Sequence, residues 1–204
     1  EAVRGACGVF DVSHMGEVTV KGPDAEAYVN HIFTNDVRGM EPGKILYGMM
    51  CYENGGTVDD LLVYKMGEND FFIVINAANI DKDWAWMTEH AKGYDIDIQN
   101  RSDFYGQLAV QGPDSEKVVE EVLGLKCAEL TFYTVKTICL KGDCSCNDDS
   151  CTVIVSRTGY TGEDGFEIYG THEYIRECWD KLIASGRCKP CGLGCRDTLR
   201  FEVG

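Results

Sequence analysis

The sequence of 204 residues lacks two features that would point to common classes of protein. No apolar run approaches the roughly 20 residues that a membrane-spanning helix needs. Lysine and arginine are few, 19 against 34 aspartates and glutamates, and the net charge is -15. Nucleic acids and anionic membrane surfaces are bound by clusters of basic side chains, so we expect neither partner. The acidic balance favours solubility and identifies no partner.

Short catalytic and nucleotide motifs are also missing. The sequence has no GxGxxG or GxxxxGK[ST] loop, no helix with metal-ligand spacing and no nucleophile elbow. Its eleven cysteines are an odd number, so they cannot all pair within the chain. Two clusters lie at Cys144–Cys151 and Cys188–Cys195. The second has C-x2-C-x3-C spacing, which thiolate metal sites can use, but neither has the paired knuckles of a zinc site, and we expect free thiols without metal.

A faint internal repeat organises the chain. A strand-like run followed by Gly-Pro-Asp occurs twice, at 18–24 and at 108–114. Each is followed by apolar positions on one helical stripe and by acidic residues where a helix dipole favours them. The same spacing predicts a helix from near Asn79 and another over 175–183.

Several β-rich runs lie between these helices. The hairpin signal Asn54-Gly55-Gly56 joins two of them. Short strands that do not alternate strictly with helices indicate an α+β fold with antiparallel sheets and flanking helices. The polar segment 141–150 predicts a surface hairpin loop. The predicted strands are 45–52, 58–64, 71–75, 133–140 and 152–155.

Two adjacent carboxylates begin the second of these strands. Side chains alternate along a strand, so Asp59 and Asp60 must point to opposite faces of the sheet. One can reach solvent, and Asp60 shares its face with Leu62 and Tyr64. A carboxylate on such a face is costly to bury unless something pairs with it. That partner is either a structural donor or a ligand.

Three further clusters resemble sites more than core. Polar residues around His14 interrupt a possible strand, and His14 is either a hydrogen-bonded structural residue or a functional one. A later glycine-rich segment contains Tyr160 and Glu167, which suits a ligand loop or an ordinary turn. Two glycines then lead into a predicted helix with Arg196, whose planar fork can bind a carboxylate or a heterocycle. The spacing alone supports a small-molecule site built from several loops.

Seven segments occur in the order found in one enzyme family. VQGP and TND are weak signals alone, whereas RTGYTGEDGFE with DDLLVYK and GLG-x-RD is highly specific. The sequence resembles the aminomethyltransferases of the glycine cleavage system, the T-proteins, over essentially all of its length. The segments are GVFDVSHMGE (8–17), TND (34–36), GGTVDDLLVYK (55–65), INAANIDKD (75–83), VQGP (110–113), RTGYTGEDGFE (157–167) and GLGCRDTLRFE (192–202).

The resemblance implies a three-domain protein that binds tetrahydrofolate in a central cavity. The family's chain extends further at both ends, so we expect a fragment that lacks the C-terminal barrel domain. We expect two interleaved subdomains within it, with approximately 14–100 inserted between 1–13 and 101–204. The implied substrate is an aminomethyl group on the lipoyl sulfur of the H-protein, and the products are ammonia and 5,10-methylenetetrahydrofolate.

The matching positions also imply roles for individual residues. Asp60 is the expected catalytic residue, because the family's aspartate contacts the folate nitrogen region that receives the carbon. A fixed carboxylate can orient an amine nucleophile and stabilise a developing iminium cation. Glu167 suits the donor-rich edge of the pterin ring. The expected folate-binding residues are Met15, Tyr47, Leu62, Tyr64, Asn76, Tyr160, Glu167 and Arg196.

Two other classes share the scaffold and stay open as alternatives. One contains folate-dependent demethylases and the folate domains of dimethylglycine and sarcosine oxidation, and the dense match at DVSHMGE and DDLLVYK favours the T-proteins over it. The other contains non-enzymatic folate-binding proteins linked to iron–sulfur maintenance, whose KGCYxGQE-like signature is absent. The expected location is a bacterial cytoplasm, or the mitochondrial matrix in a eukaryote.

Overall fold

The fold is known from a computed structural model that describes residues 1–141 and 149–203. The chain divides into two compact units. The discontinuous unit comprises Glu1–Ser13 and Phe104–Gly204, and the inserted unit comprises His14–Asp103. Each unit contains one sheet with helices packed on it, so the predicted α+β class is confirmed.

The helices and strands of the described residues are numbered here in chain order. The helices are α1 Ala2–Gly5, α2 Ala25–Ile32, α3 Ile80–His90, α4 Ser115–Leu123, α5 His172–Ala184 and α6 Leu193–Val203. None of these helices has the length and apolar character of a membrane span. The strands are β1 Gly8–Asp11, β2 Gly16–Lys21, β3 Ile45–Cys51, β4 Thr57–Gly67, β5 Asp70–Ile75, β6 Asp97–Asn100, β7 Tyr105–Gln111, β8 Val135–Cys139, β9 Thr152–Ser156, β10 Gly165–Thr171 and β11 Lys189–Pro190.

The sheet of the discontinuous unit has the strand order β11-β1-β7-β10-β9-β8. Its pairs are antiparallel except for the short edge pair of β1 with β11, which is parallel and departs from the prediction. One face packs against α4 and α5, and alternation turns Gln107, Ser156 and Glu167 to the other face. The core side chains include Leu108, Val110, Val118, Val119, Val153, Val155, Phe166, Ile168, Ile175 and Leu182.

The sheet of the inserted unit has the order β3-β4-β5-β2-β6, and every pair is antiparallel. One face packs against α2 and α3. The predicted hairpin joins β3 to β4, where Gly55 adopts a φ of 83° that favours glycine. The core side chains include Val18, Val20, Tyr28, Val29, Leu61, Val63, Phe71, Ile73, Ile75 and Met87.

The internal repeat predicted from Gly-Pro-Asp is present in three dimensions. Gly22 and Gly112 have nearly identical φ angles of 131° and 129°. Each glycine carbonyl accepts a hydrogen bond from the backbone N–H three residues later, Ala25 at 3.0 Å and Ser115 at 2.9 Å. A β-carbon on Gly22 would lie 2.7 Å from the carbonyl oxygen of Asp95, so this turn requires glycine. The two prolines precede α2 and α4 and lie outside their first turns.

The remaining differences from prediction concern short or polar elements. The polar stretch around His14 separates β1 from β2, which belong to different sheets. Strand β6 was missed because its sequence is polar and short; its pairing with β2 makes it a strand. The predicted strand 133–140 begins later, at Val135. The predicted loop at 141–150 lies largely outside the described residues.

Candidate functional site

Asp60 on β4 has a half-buried carboxylate that two side chains hold in place. Its Oδ2 accepts a hydrogen bond from the Tyr47 hydroxyl at 2.8 Å. Its Oδ1 accepts one from Nδ2 of Asn76 at 3.1 Å. Each carboxylate oxygen has two acceptor sites, so Asp60 can still accept bonds from a ligand. From the sequence, the partner of the Asp60 carboxylate could be a residue of the protein or a ligand. In the structure, Tyr47 and Asn76 are hydrogen-bond donors to it.

The same sheet face carries other predicted site residues. Tyr47 pairs with Leu62, and Met49 pairs with Asp60, in the register of β3 and β4. Alternation therefore places Leu62 and Tyr64 on the face of Asp60, away from the core residues Leu61 and Val63. Tyr64 is buried, and its ring meets that of Phe72 edge-on with centroids 5.7 Å apart.

The prediction that one carboxylate of the Asp59–Asp60 pair reaches solvent does not hold for Asp59, which is buried. It is 7% exposed, and Asp60 is the more accessible of the two. The physical reason is that Asp59 points to the face covered by α3, where Asp83 contacts it. The Asp59 Oδ1 accepts a hydrogen bond from Nδ2 of Asn76 at 3.1 Å.

Asn76 therefore bridges the two carboxylates. Its Nδ2 also donates to the backbone oxygen of Asp60 at 3.0 Å. Three acceptors surround this one nitrogen, and only an N–H group satisfies them, so the orientation of the amide is defined. Two further candidate residues of the inserted unit precede β2: Met15 is partly exposed next to Gly16, which pairs with Ile75, and His14 is exposed beside Met15.

A second cluster lies in the discontinuous unit around Glu167, which is 5% exposed. Its Oε2 accepts from the Thr158 hydroxyl at 2.6 Å, and its Oε1 accepts from Nε2 of Gln107 at 3.0 Å. Burial raises the pKa of Glu167, while the Thr158 hydroxyl and the positive charge of Arg196 oppose the rise. The carboxyl group is thus built into the fold and keeps unused acceptor capacity.

Tyr160 and Arg196 form a third contact, also in the discontinuous unit. The guanidinium carbon of Arg196 lies 5.1 Å from the Tyr160 ring centroid, and that of Arg200 lies 5.6 Å from it. Both distances are within the range of a cation–π interaction. Tyr160 remains 37% exposed. A flat aromatic surface with two cations suits an anionic or heteroaromatic ligand.

Sequence reasoning missed Glu17, which lies near the start of β2. It is fully buried, and neither carboxyl oxygen has a hydrogen-bond donor among the described residues. Burial raises the pKa of Glu17 to about 9, so the group is neutral at pH 7. Its partner in the register is Val74, which pairs in turn with Leu62, so Glu17 lies on the face of Asp60. The sequence signal that could have identified Glu17 is an acidic residue at the start of a strand whose next positions include Val18 and Val20.

The cysteines show no metal centre in the described part of the chain. No group of three or more His, Cys, Asp or Glu side chains there is arranged to hold a metal ion. Cys7 and Cys188 have their sulfur atoms 3.2 Å apart in the core. Free thiols were expected throughout, but Cys139 is disulfide-bonded, so that expectation is wrong there. Cys144 and Cys146 lie outside the described residues.

The fold and the side-chain clusters define an α+β protein of two units, each with a polar sheet face that carries a buried or half-buried acid. The chain belongs to the family described as the GCVT N-terminal domain, which its residues 1–204 match. The family expected from the sequence motifs is therefore confirmed.

Relatives and solved structures agree with this assignment. An aminomethyltransferase of Alkaliphilus oremlandii is 51% identical over 206 residues, which cover 100% of this chain and 54% of that protein. The chain spans about half the length of such relatives. A crystal structure of glycine cleavage system aminomethyltransferase T from Bartonella henselae matches with a TM-score of 0.87 and 32% identity, over 98% of this chain and 52% of that one.

A more distant structure shares only the fold. Heterotetrameric sarcosine oxidase from Corynebacterium sp. U-96 contains a chain that matches with a TM-score of 0.60 and 14% identity. The match covers 87% of this chain and 82% of that one.

We predict that Glu17 makes stability depend on pH. An acid with a raised pKa in the folded state stabilises the fold below its unfolded pKa and loses this contribution as pH rises toward 9. Relative to Glu17→Gln, the wild type should lose on the order of 3 kcal/mol of unfolding free energy between pH 5 and pH 7.

Urea unfolding at several pH values measures this difference. The exposed Glu53 provides the matched control, because Glu53→Gln should follow the wild type at every pH. Parallel pH curves for the wild type and Glu17→Gln would show that Glu17 is ionised in the folded protein.

Proposed function

We propose that the protein is a tetrahydrofolate-dependent aminomethyltransferase of glycine cleavage. Family membership and the high identity to aminomethyltransferases support the class of reaction. The observation that carries the proposal is the Asp60 carboxylate, held by Tyr47 and Asn76 with acceptor sites to spare. The two compact units are proposed to be the family's interleaved subdomains.

The reaction forms two bonds from folate nitrogens to the transferred carbon and breaks that carbon's bonds to the amine, released as ammonia, and to the lipoyl sulfur. Asp60 accepts a hydrogen bond from the N–H group of the attacking amine and stabilises the positive charge that develops at the transferred carbon. Tyr47 and Asn76 hold the carboxylate in one orientation, so little reorganisation is needed when the charge develops. Both donors occupy only part of the acceptor capacity of Asp60, which leaves the group able to act.

Folate binding is proposed for the remaining predicted residues of each unit. In the discontinuous unit, Glu167 can accept a hydrogen bond from a donor on a pterin ring, because Thr158, Gln107 and Tyr169 leave part of its acceptor capacity free. The Tyr160 ring and the Arg196 guanidinium offer flat surfaces for the same ligand. In the inserted unit, folate binding is proposed for Met15, Tyr47, Leu62, Tyr64 and Asn76.

The proposed partner is the lipoylated H-protein of glycine cleavage, which presents the aminomethyl group. The matched relatives are bacterial, and a bacterial cytoplasm is the proposed location. A chain of the sarcosine oxidase from Corynebacterium sp. U-96 shares the fold, but 14% identity supports no shared reaction. Ammonia release from aminomethylated H-protein separates the two classes, because only a T-protein uses that substrate.

Asp60→Asn tests the proposed catalytic role of Asp60. The amide keeps the size of the side chain and removes its charge, so kcat for methylene transfer from H-protein should fall by about a hundredfold or more. Folding should be preserved, which thermal unfolding would check. Asp97→Asn is the matched control, since Asp97 is exposed on the edge strand β6. Wild-type turnover in Asp60→Asn would remove Asp60 from the mechanism.

Glu167→Gln tests the proposed role of Glu167 in tetrahydrofolate binding. The substitution replaces one acceptor oxygen by a donor, which opposes the donor-rich ring edge, so the Kd for tetrahydrofolate should rise by about tenfold or more. Calorimetric titration measures this directly. Glu173→Gln, at an exposed position at the start of α5, should bind like the wild type. An unchanged Kd in Glu167→Gln would exclude Glu167 from folate binding.

A further inference from the structure

Behind Asp60, on the core side of β4, two acids are buried against each other. Asp59 is 7% exposed and Asp83, on α3, is fully buried. The two carboxyl groups are within hydrogen-bonding contact. Among the described residues, Oδ2 of Asp59 and Oδ2 of Asp83 have no hydrogen-bond donor, and Oδ1 of Asp83 has only the Lys82 ammonium beside it.

One nearby cation does not neutralise both acids. The Lys82 ammonium lies 3.0 Å from Oδ1 of Asp83 and also donates to the backbone oxygen of Val58. Two adjacent buried carboxylates with a single cation keep an excess negative charge, which a low-dielectric interior disfavours. A proton shared between the acids removes that excess. It also provides the missing donor, because a protonated Asp83 can donate to Oδ2 of Asp59.

The surrounding groups decide which acid holds the proton. Burial raises the pKa of Asp83 to about 7, and the hydrogen bond to Asp59 adds to the rise while Lys82 opposes it. Burial also raises the pKa of Asp59, but hydrogen bonds from Asp83, Asn76 and Asn79 outweigh it and lower the value below the usual range. The proton therefore belongs on Asp83, and Asp59 stays ionised.

The ionised Asp59 acts on Asp60 through Asn76. The Asn76 amide has two hydrogens and three acceptors, namely Oδ1 of Asp59, Oδ1 of Asp60 and the backbone oxygen of Asp60. A charge on Asp59 favours the rotamer in which the amide nitrogen faces both acids. If Asp59 moved or turned, the amide would lose the partner that keeps its N–H groups directed at Asp60.

We propose that Asp83 is a positioning residue for the transfer reaction: it shares one proton with Asp59 and so holds Asn76 and the Asp60 carboxylate in their working orientation. This inference rests on the proposed function. As pH rises and the shared proton leaves, Asp59 and Asp83 repel each other and the bridge to Asp60 loosens. The group that performs the chemistry is still Asp60.

The experiment compares the pH dependence of kcat in the wild type, Asp83→Asn and Asp83→Ala. The wild-type kcat should fall by about tenfold above pH 7, with a smaller change in KM for tetrahydrofolate. Asp83→Asn keeps a donor for Asp59 at every pH, so it should remain active and lose this alkaline fall. Asp83→Ala has no donor, and its kcat should be about tenfold lower throughout.

Asp81→Asn is the matched control on the same helix, because Asp81 is exposed, and it should retain the wild-type pH profile. An alkaline fall that persists in Asp83→Asn would overturn the proposal, as would wild-type kcat in Asp83→Ala. Either result would mean that the buried pair of Asp59 and Asp83 does not affect the orientation of Asp60.

A second measurement tests the shared proton without any assay of turnover. Infrared difference spectra of the wild type should show a protonated carboxylic acid at pH 6 that titrates near pH 7, and Asp83→Asn should lack this signal. Ionisation of both acids at pH 6 would contradict the inference even if Asp83→Ala does not fold. If instead the protein transfers no aminomethyl carbon while the signal is present, the proposed function fails and the proton sharing stands.

Discussion

The structure around the candidate site depends on one amide that reaches two faces of a sheet. Alternation along β4 sends Asp59 and Asp60 in opposite directions, and neighbouring strand residues cannot contact both. Asn76 can do so because it directly follows Ile75, the last residue of β5, and lies level with Asp60 near the start of β4. The segment that follows forms α3, which brings Asp83 against Asp59. The connection from β5 to α3 therefore provides Asn76, which bridges the two carboxylates, and leads to Asp83, which contacts Asp59.

In each unit the two faces of the sheet differ in the same way. One face packs against two helices and is apolar, and the opposite face carries the buried or half-buried acids Asp60 and Glu17 in the inserted unit and Glu167 in the discontinuous unit. The acids there differ in how they are held. Asp60 and Glu167 are each held by side-chain donors, whereas Glu17 has none among the described residues and is neutral at pH 7 because of its burial. Hydrogen-bond donors lower the cost of burying a carboxylate, and their presence distinguishes Asp60 and Glu167 from Glu17.

The sequence predicted those features that depend on local patterns. Periodicity indicated α2, α3, α4 and α5, glycine chemistry indicated the hairpin at Gly55, and alternation placed Asp60 with Leu62 and Tyr64. The resemblance supplied the site residues, whose roles remain a proposal. Features set by packing between distant segments were not predictable in this way. The burial of Asp59 depends on where α3 crosses the sheet, and β6 is a strand only because β2 pairs with it. No local pattern indicates that Asp83 is buried against Asp59.

The central claim is that Asn76 holds the Asp60 carboxylate in its working orientation. The most direct test is kcat for aminomethyl transfer from lipoylated H-protein to tetrahydrofolate in Asn76→Ala. Loss of the bridge should lower kcat by about tenfold or more, and the addition of Asp60→Asn to this variant should cost far less than it does in the wild type, because the two residues act as a unit. Wild-type kcat in Asn76→Ala, or fully additive losses in the double variant, would contradict the account.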